Sequence, residues 1–213
     1  MAARQWLAQP LARLRAGRSA AELCTYLLEP KNWLTVTLLA LGWRASPADR
    51  AEGIGWGLLA ALFAAVIPTL FIAYGVQHGR WADRNVGARR ARLVVLAFIT
   101  ASVAVGWGLL VVLRAPRVLA GYLAFMLGSV ALLALVTTVW KISIHCAVAA
   151  GSVTVLAYAF SPPVLAGFAL VGVVGWSRVA MNDHTISQVV AGAALGAAVA
   201  AVAYHATGGF VRV

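Results

Sequence analysis

Long apolar runs recur along this chain of 213 residues, and most of them are long enough to cross a lipid bilayer as an α-helix. Inside the hydrocarbon layer the backbone groups can bond only with one another, so crossing segments of this kind are helical. The composition agrees, because 62% of the residues are hydrophobic and 11% are charged, whereas a soluble domain averages about 45–50% and about 25%. The sequence therefore predicts an all-α, polytopic membrane helical bundle.

The predicted bundle has about six to seven spans and forms a single domain over residues 31–213. A short or tilted first span is predicted at residues 32–43. The clearer spans are predicted at residues 54–76, 91–113, 118–140, 144–160, 164–176 and 185–204. The last one contains Gly192 and Gly196 in an alanine-rich setting, which predicts close packing against a neighbouring helix.

The N-terminal segment, residues 1–30, is basic and amphipathic, and within it residues 3–18 are typical of a helix lying on a membrane surface. The net charge of the chain is +11, which predicts contact with the anionic lipids of the bilayer or with a phosphate substrate. No basic stretch is interleaved with exposed aromatic residues, so nucleic acid is not an expected partner. The sequence leaves the oligomeric state open.

Three polar segments lie beside predicted spans, at residues 83–92, 141–145 and 177–188. Two crossings separate the first segment from the second, and two more separate the second from the third. Each segment also has beside it a residue type that is enriched at the membrane–water interface, namely Trp81, Trp140 or Trp176. Because an even number of crossings returns the chain to the same side, we expect all three segments to share one membrane face.

The third polar segment holds Ser177-Arg178, five residues, and then His184. This pattern resembles the third signature of the type 2 phosphatidic acid phosphatase superfamily. The stretch Ile142-Ser143-Ile144-His145 resembles a degraded form of the second signature, which reads Pro-Ser-Gly-His. The resemblance covers roughly residues 54–205 and implies a membrane lipid phosphatase.

The resemblance implies a role for each matching residue. His184 resembles the histidine nucleophile that forms a phosphohistidine, His145 resembles the general acid that protonates the leaving group, and Arg178 resembles a phosphate clamp. These roles make physical sense, because imidazole titrates near neutrality and can serve as either nucleophile or acid. The planar fork of arginine binds phosphate oxygens in pairs and stays charged.

The third signature departs from the family pattern at its last position, where Gln188 stands in place of an aspartate. The amide oxygen of Gln188 can accept the imidazole N–H of His184 and fix its tautomer, but it cannot neutralise an imidazolium. Asp183 or Asp83 could supply the missing carboxylate, and Asp183 is included among the candidate catalytic residues.

The second signature lacks its proline and glycine, which questions a phosphate cradle of backbone amides. Ser143 remains as a candidate phosphate ligand, and Lys141 would supply positive charge. No first signature is found. The nearest candidate is the stretch from Asp83 through Arg84 and Arg89 to Arg92, in which the last two arginines would share a helix face.

The predicted function is hydrolysis of a lipid phosphomonoester or a prenyl diphosphate through a phosphohistidine intermediate. No metal and no cofactor are expected, because the candidate residues are rich in arginine and lysine and form no recognised ligand set. Two alternatives remain. One is a phosphotransferase or another prenyl-diphosphate enzyme on the same scaffold, and the other is a non-catalytic protein that binds or transports phospholipids.

The predicted location is the cell membrane, as a multi-pass protein. The side that holds the three polar segments also collects the arginines of the N-terminal segment and Lys31. Basic residues favour the cytoplasmic side of a membrane. The sequence therefore predicts a site on the basic, cytoplasmic face, although phosphate-binding arginines add to the same count.

Overall fold

The computed structural model describes residues 20–81, 86, 88–206 and 209, and every regular element within them is a helix. The helices are α1 (Ala20–Leu27), α2 (Pro30–Ala45), α3 (Arg50–Gln77), α4 (Arg89–Val112), α5 (Arg117–Val139), α6 (Ile144–Ala159), α7 (Phe168–Ala180) and α8 (Ile186–Ala206). The predicted all-α membrane bundle is thereby confirmed. The surface helix predicted at residues 3–18 lies outside the described residues.

Five helical stretches are long and apolar enough to cross a membrane, namely α3, α4, α5, α8 and Pro162–Ala180, which joins a short 3₁₀ turn to α7. Helix α6 is a shorter apolar helix. Helix α2, the predicted short first span, is not among these candidates. Helix α2 nevertheless lies alongside α6 over its whole length. At their starts, Lys31 and His145 line one cavity. At their ends, the Arg44 guanidinium lies 5.6 Å from the Phe160 ring centroid.

Local chemistry explains where several helices begin and bend. The Asp49 side chain accepts the Glu52 N–H at the start of α3, which satisfies one of the free N–H groups of a first turn. Within α3, the turn Leu62–Val66 is π-helical and precedes Pro68. A proline has no N–H to donate, so the regular bond cannot form there and the wider turn accommodates the break.

Helix α8 packs directly against α6 through its glycines. A Cβ atom at Gly192 would overlap the carbonyl oxygen of Ser143, and one at Gly196 would overlap that of Ala147. From the other side, a Cβ at Gly151 would lie 3.3 Å from the carbonyl oxygen of Gly196. The close packing predicted from Gly192 and Gly196 is confirmed, and it fixes the start of α6 against the start of α8.

The predicted end of the span at residues 164–176 is wrong. Helix α7 continues to Ala180, so Ser177 and Arg178 lie inside its last turns and not after its end. Nothing between Trp176 and Ala180 disfavours helix, because this stretch contains no glycine or proline. The helix is followed by Asn182, which adopts a φ of 56°, a left-handed conformation that asparagine tolerates.

Candidate active site

Arg178 is held inside the protein by the loop that follows it. Its side chain is 2% exposed, and its Nη2 lies 2.8 Å from Oδ2 of Asp183. The backbone N–H groups of Asp183 and His184 both donate to the Arg178 carbonyl, at 3.1 and 3.2 Å. The loop thus folds back over the end of α7 and brings His184 beside Arg178.

Ser177, next to Arg178 in α7, has a supporting position. Its hydroxyl donates to the Val174 carbonyl at 2.8 Å and accepts a bond from the Thr25 hydroxyl at 3.0 Å. Both side chains are buried. Helix α1 is therefore fixed to α7 directly behind the arginine.

The predicted hydrogen bond between Gln188 and His184 is present. His184 Nδ1 lies 3.0 Å from Gln188 Oε1, and the Thr185 N–H donates to the same oxygen at 3.2 Å. A backbone N–H can only meet an acceptor, so this atom is the amide oxygen and Nδ1 of His184 must carry the proton. The lone pair of the neutral ring is consequently on Nε2.

His184 is 8% exposed, and burial lowers the pKa of its imidazole to about 4. The bond to Gln188 opposes this shift, while the positive charges of Arg92, Lys141 and Arg178 add to it. The three cations therefore lie within electrostatic reach of the His184 ring. At neutral pH the ring is uncharged, which is the state a nitrogen nucleophile needs.

The second polar segment contacts the third at two points. Lys141 Nζ donates to the Asp183 carbonyl at 2.7 Å, and the Ser143 N–H donates to the Gln188 carbonyl at 3.2 Å. The Ser143 hydroxyl is fully buried and accepts the Cys146 N–H at 3.4 Å as the N-cap of α6. The structure thus gives Ser143 a capping position, and its role as a phosphate ligand stays a prediction.

The first polar segment reaches the same end of the bundle through Arg92. This side chain is buried and its Nη2 donates to the Ile142 carbonyl at 3.3 Å. Its Nε and Nη1 are buried and have no hydrogen-bond partner among the residues that the structure describes. Together with the bond between Lys141 and Asp183, this contact confirms that the three segments meet at one end of the bundle.

A cavity of about 150 Å³ lies beside Arg92 and is lined by His145. His145 is partly exposed and within electrostatic reach of Arg178, His184 and Arg92. His184 and Arg178 themselves are not part of the cavity lining. The cavity therefore opens on the His145 side of the site.

Some of the predicted site residues lie outside the part of the chain that the structure describes. Asp83 and Arg84 are not among the described residues, and nothing can be said of the Arg89 side chain. Helix α4 begins at Arg89, so Arg89 and Arg92 do occupy one turn of helix. For Asp183, the carboxylate bonds Arg178, and the partner found for the His184 ring is Gln188.

The sequence did not point to two residues that line the cavity, Glu29 and Lys31. They form an ion pair at the start of α2. In the sequence Lys31 is one basic residue beside a predicted span. No motif or spacing could have connected it with His145, because packing of α2 along α6 brings the two together.

These observations define a helical membrane protein with a buried, cationic site of two histidines at one end of its bundle. Among the described side chains, no group of three or more His, Cys, Asp or Glu residues is placed to hold a metal ion. The family model described as the PAP2 superfamily matches residues 137–212, which include the second and third polar segments. This match to the C-terminal part of the chain supports membership of the superfamily of the type 2 phosphatidic acid phosphatases and a phosphatase-like function in general. No curated protein and no solved structure matches the chain.

Proposed function

We propose that this protein is an integral membrane lipid phosphatase that hydrolyses a lipid phosphomonoester or a prenyl diphosphate through a phosphohistidine. The observation that carries the proposal is the state of His184. Its ring is buried and neutral, its Nδ1 proton is held by Gln188, and three cations lie around it. This combination suits attack by Nε2 on a phosphate group.

In the first step the Nε2 lone pair of His184 attacks phosphorus and forms the N–P bond. The bond from phosphorus to the leaving oxygen breaks, and its electron pair goes to that oxygen. His145 donates a proton to the oxygen, which is the task of a general acid. His145 lines the cavity next to the site, so the leaving group would occupy that cavity.

Arg178 and Lys141 stabilise the charge on the phosphate oxygens during transfer. Their positions are fixed before substrate binds, because Arg178 is held by Asp183 and Lys141 by the Asp183 carbonyl. Cations that are already oriented need little rearrangement in the transition state, and this arrangement makes electrostatic stabilisation effective.

In the second step a water molecule attacks the phosphohistidine. The N–P bond breaks, its electron pair returns to Nε2, and inorganic phosphate leaves. His145, deprotonated in the first step, accepts the proton of the water. Neither step in this scheme calls for a metal or a cofactor.

The first test is phosphate release from a panel of lipid phosphates and prenyl diphosphates in detergent with EDTA. We expect release by the wild type and a loss of at least about 100-fold in His184→Gln and His145→Gln, in line with the usual contribution of a catalytic acid or nucleophile. His78→Ala is the matched control, since His78 is exposed at the end of α3. Full activity in both site variants, with folding intact, would refute the mechanism.

One observation favours a second enzyme function. Gln188 is neutral, so it offsets the charge of an imidazolium less well than a carboxylate would. The phosphohistidine is then harder to form and more reactive once formed, so an acceptor bound beside it could receive the phosphate in place of water. Inorganic phosphate equal to the substrate consumed would exclude such a phosphotransferase, and tight binding without any turnover would instead indicate a binding or transport protein.

A further inference from the structure

The cavity beside the site is built mainly by the part of the chain that precedes the family match. The matched segment, residues 137–212, contributes only Ile144 and His145 to its lining. The other walls come from the segment Glu29–Lys31, from α3, from Val86 and from the first turns of α4. Features that distinguish one substrate from another are therefore expected in the N-terminal half.

Two cations face this cavity. Arg92 is 5% exposed, and two of its buried nitrogens have no hydrogen-bond partner within the described ranges. Lys31 is partly exposed, pairs with Glu29, and has its Nζ 5.5 Å from the centroid of the Tyr26 ring. An arginine with unsatisfied buried donors needs an anion or water to complete its bonding.

Arg92 and Lys31 lie on the same side of the site as His145. Of the two candidate histidines, His145 lines the cavity and His184 does not. Lys141 and Arg178 are also absent from its lining. In the proposed mechanism, Lys141 and Arg178 serve the phosphate that is transferred, whereas Arg92 and Lys31 lie on the side of the leaving group.

On the basis of the proposed function, we infer that the cavity binds a negatively charged leaving group and that the preferred substrate is a lipid diphosphate. Nε2 of His184 attacks the terminal phosphorus, and the bond from this phosphorus to the bridging oxygen breaks. The electron pair goes to the bridging oxygen, which leaves as part of a lipid monophosphate. Water then cleaves the N–P bond and releases inorganic phosphate.

The chemistry of the leaving group explains what Arg92 and Lys31 can do beside the cavity. A lipid monophosphate substrate expels an alkoxide, whose conjugate acid is about as weak an acid as water, so protonation by His145 is essential. A lipid diphosphate expels a phosphate monoester, whose second pKa is about 6, so the leaving oxygen can depart unprotonated. The charge that it carries away is what Arg92 and Lys31 are placed to stabilise.

Glu29 explains how the cavity accommodates these charges when no substrate is bound. Its carboxylate pairs with Lys31, so the lysine is partly neutralised in the free protein. A phosphate entering the cavity competes with Glu29 for the same ammonium group. Removing the carboxylate should therefore strengthen binding of a doubly charged leaving group.

The test compares farnesyl diphosphate with farnesyl monophosphate in detergent micelles with EDTA. In Lys31→Met we expect kcat/KM for the diphosphate to fall about tenfold, and that for the monophosphate to change less than about twofold, because only the diphosphate places a charged group beside Lys31. Lys141→Met is the matched lysine variant and should lower both values alike. Glu29→Gln should lower KM for the diphosphate alone, which keeps the test decisive if Lys31→Met does not fold.

His145→Gln supplies an independent comparison. Because the diphosphate leaving group needs less protonation, this variant should lose about tenfold more activity on the monophosphate than on the diphosphate. Equal losses on both substrates in Lys31→Met, or an unchanged KM in Glu29→Gln, would overturn the inference and leave the phosphatase function standing. No phosphate release from either substrate by the wild type would overturn the proposed function itself.

Discussion

Gln188 sets the tautomer of the His184 ring through its side-chain oxygen atom. That oxygen accepts the Thr185 N–H and the Nδ1–H of His184. A carboxylate at this position would make the same two bonds and would add a negative charge beside the ring. The protein therefore keeps the orientation of the imidazole and gives up part of the stabilisation of its protonated form.

We expect Gln188→Glu to raise the pKa of His184 from about 4 towards or above the ordinary value of 6.5. The new carboxylate favours the charged imidazolium, so the ring takes up its proton at a higher pH as the solution is acidified. NMR titration of ¹⁵N-labelled histidine would measure both pKa values. The acid side of the pH profile of kcat/KM should move upward in parallel.

Gln77→Glu is the matched control for charge, because Gln77 is exposed at the end of α3. It should leave the titration of His184 unchanged. If the pKa of His184 does not respond to Gln188→Glu, the assigned hydrogen bond is wrong, and if His184 already titrates near 6.5 in the wild type, the effect of burial on its pKa is wrong.

At the residue scale, the sequence predicted the contacts between side chains that lie a few residues apart in one segment. The bond from Gln188 to His184 followed from a separation of four residues near a helix start. The partner of Asp183 could not be predicted from spacing. Its carboxylate bonds Arg178 across a loop, and the path of that loop depends on Asn182. Lys31 could not be predicted at all, because a contact between distant segments brings it to His145.

At the scale of elements, the pairing of α6 with α8 positions the site. Gly192 lies against the Ser143 carbonyl, so the first turn of α6 depends on the absence of a side chain on α8. Small residues allow two membrane helices to approach closely and gain packing contacts. His145 follows Ser143 by two residues, and its position relative to His184 is set by this contact.

Gly192→Ala should therefore weaken both the fold and the site. We expect a loss of about 1–3 kcal/mol in the free energy of unfolding, the usual cost of overpacking, together with a lower kcat. Gly128→Ala is the control, because a Cβ there has nothing within 4 Å, and alanine in an open helix position is neutral or stabilising by up to about 1 kcal/mol. Thermal unfolding in detergent measures both; equal unfolding temperatures would contradict the packing argument.

The positions of the helices were largely predictable, since long apolar runs leave the backbone little alternative in a membrane. The residues at which the helices end were harder to predict. The end of α7 was predicted four residues too early, at residue 176, because a tryptophan and two polar residues resemble an interface, whereas the helix ends at Ala180. Burial of Arg178 against Asp183 allows the helix to extend that far.

At the scale of the whole molecule, the site joins the segment that matches the family model to helices that precede it. The matched residues 137–212 supply both histidines, Arg178 and Lys141. Helix α4 supplies Arg92, and the start of α2 supplies Lys31. Truncation to the matched segment would therefore remove the cavity wall as well as part of the bundle.

The orientation of the bundle remains a prediction, and we expect the site to face the cytoplasm. Single cysteines at Arg90 and Ala48, which are exposed at the site end and the opposite end, would report it. They are introduced after replacement of the free cysteines Cys24 and Cys146. In intact cells an impermeant maleimide should label Ala48→Cys and spare Arg90→Cys until the cells are opened. The reverse pattern would place the site outside.

The backbone bond from the Ser143 N–H to the Gln188 carbonyl, at 3.2 Å, has a mechanical consequence. Together with the glycine contacts it joins the starts of α6 and α8 into one stiff unit that carries both histidines. Arg92 on α4 meets this unit through a side-chain hydrogen bond to the Ile142 carbonyl, without a close backbone contact of the kind that joins α6 and α8. We therefore expect any widening of the cavity for a bulky lipid to take place on the α4 side, so that the size of the lipid affects the rates of entry and exit more than the rate of bond cleavage.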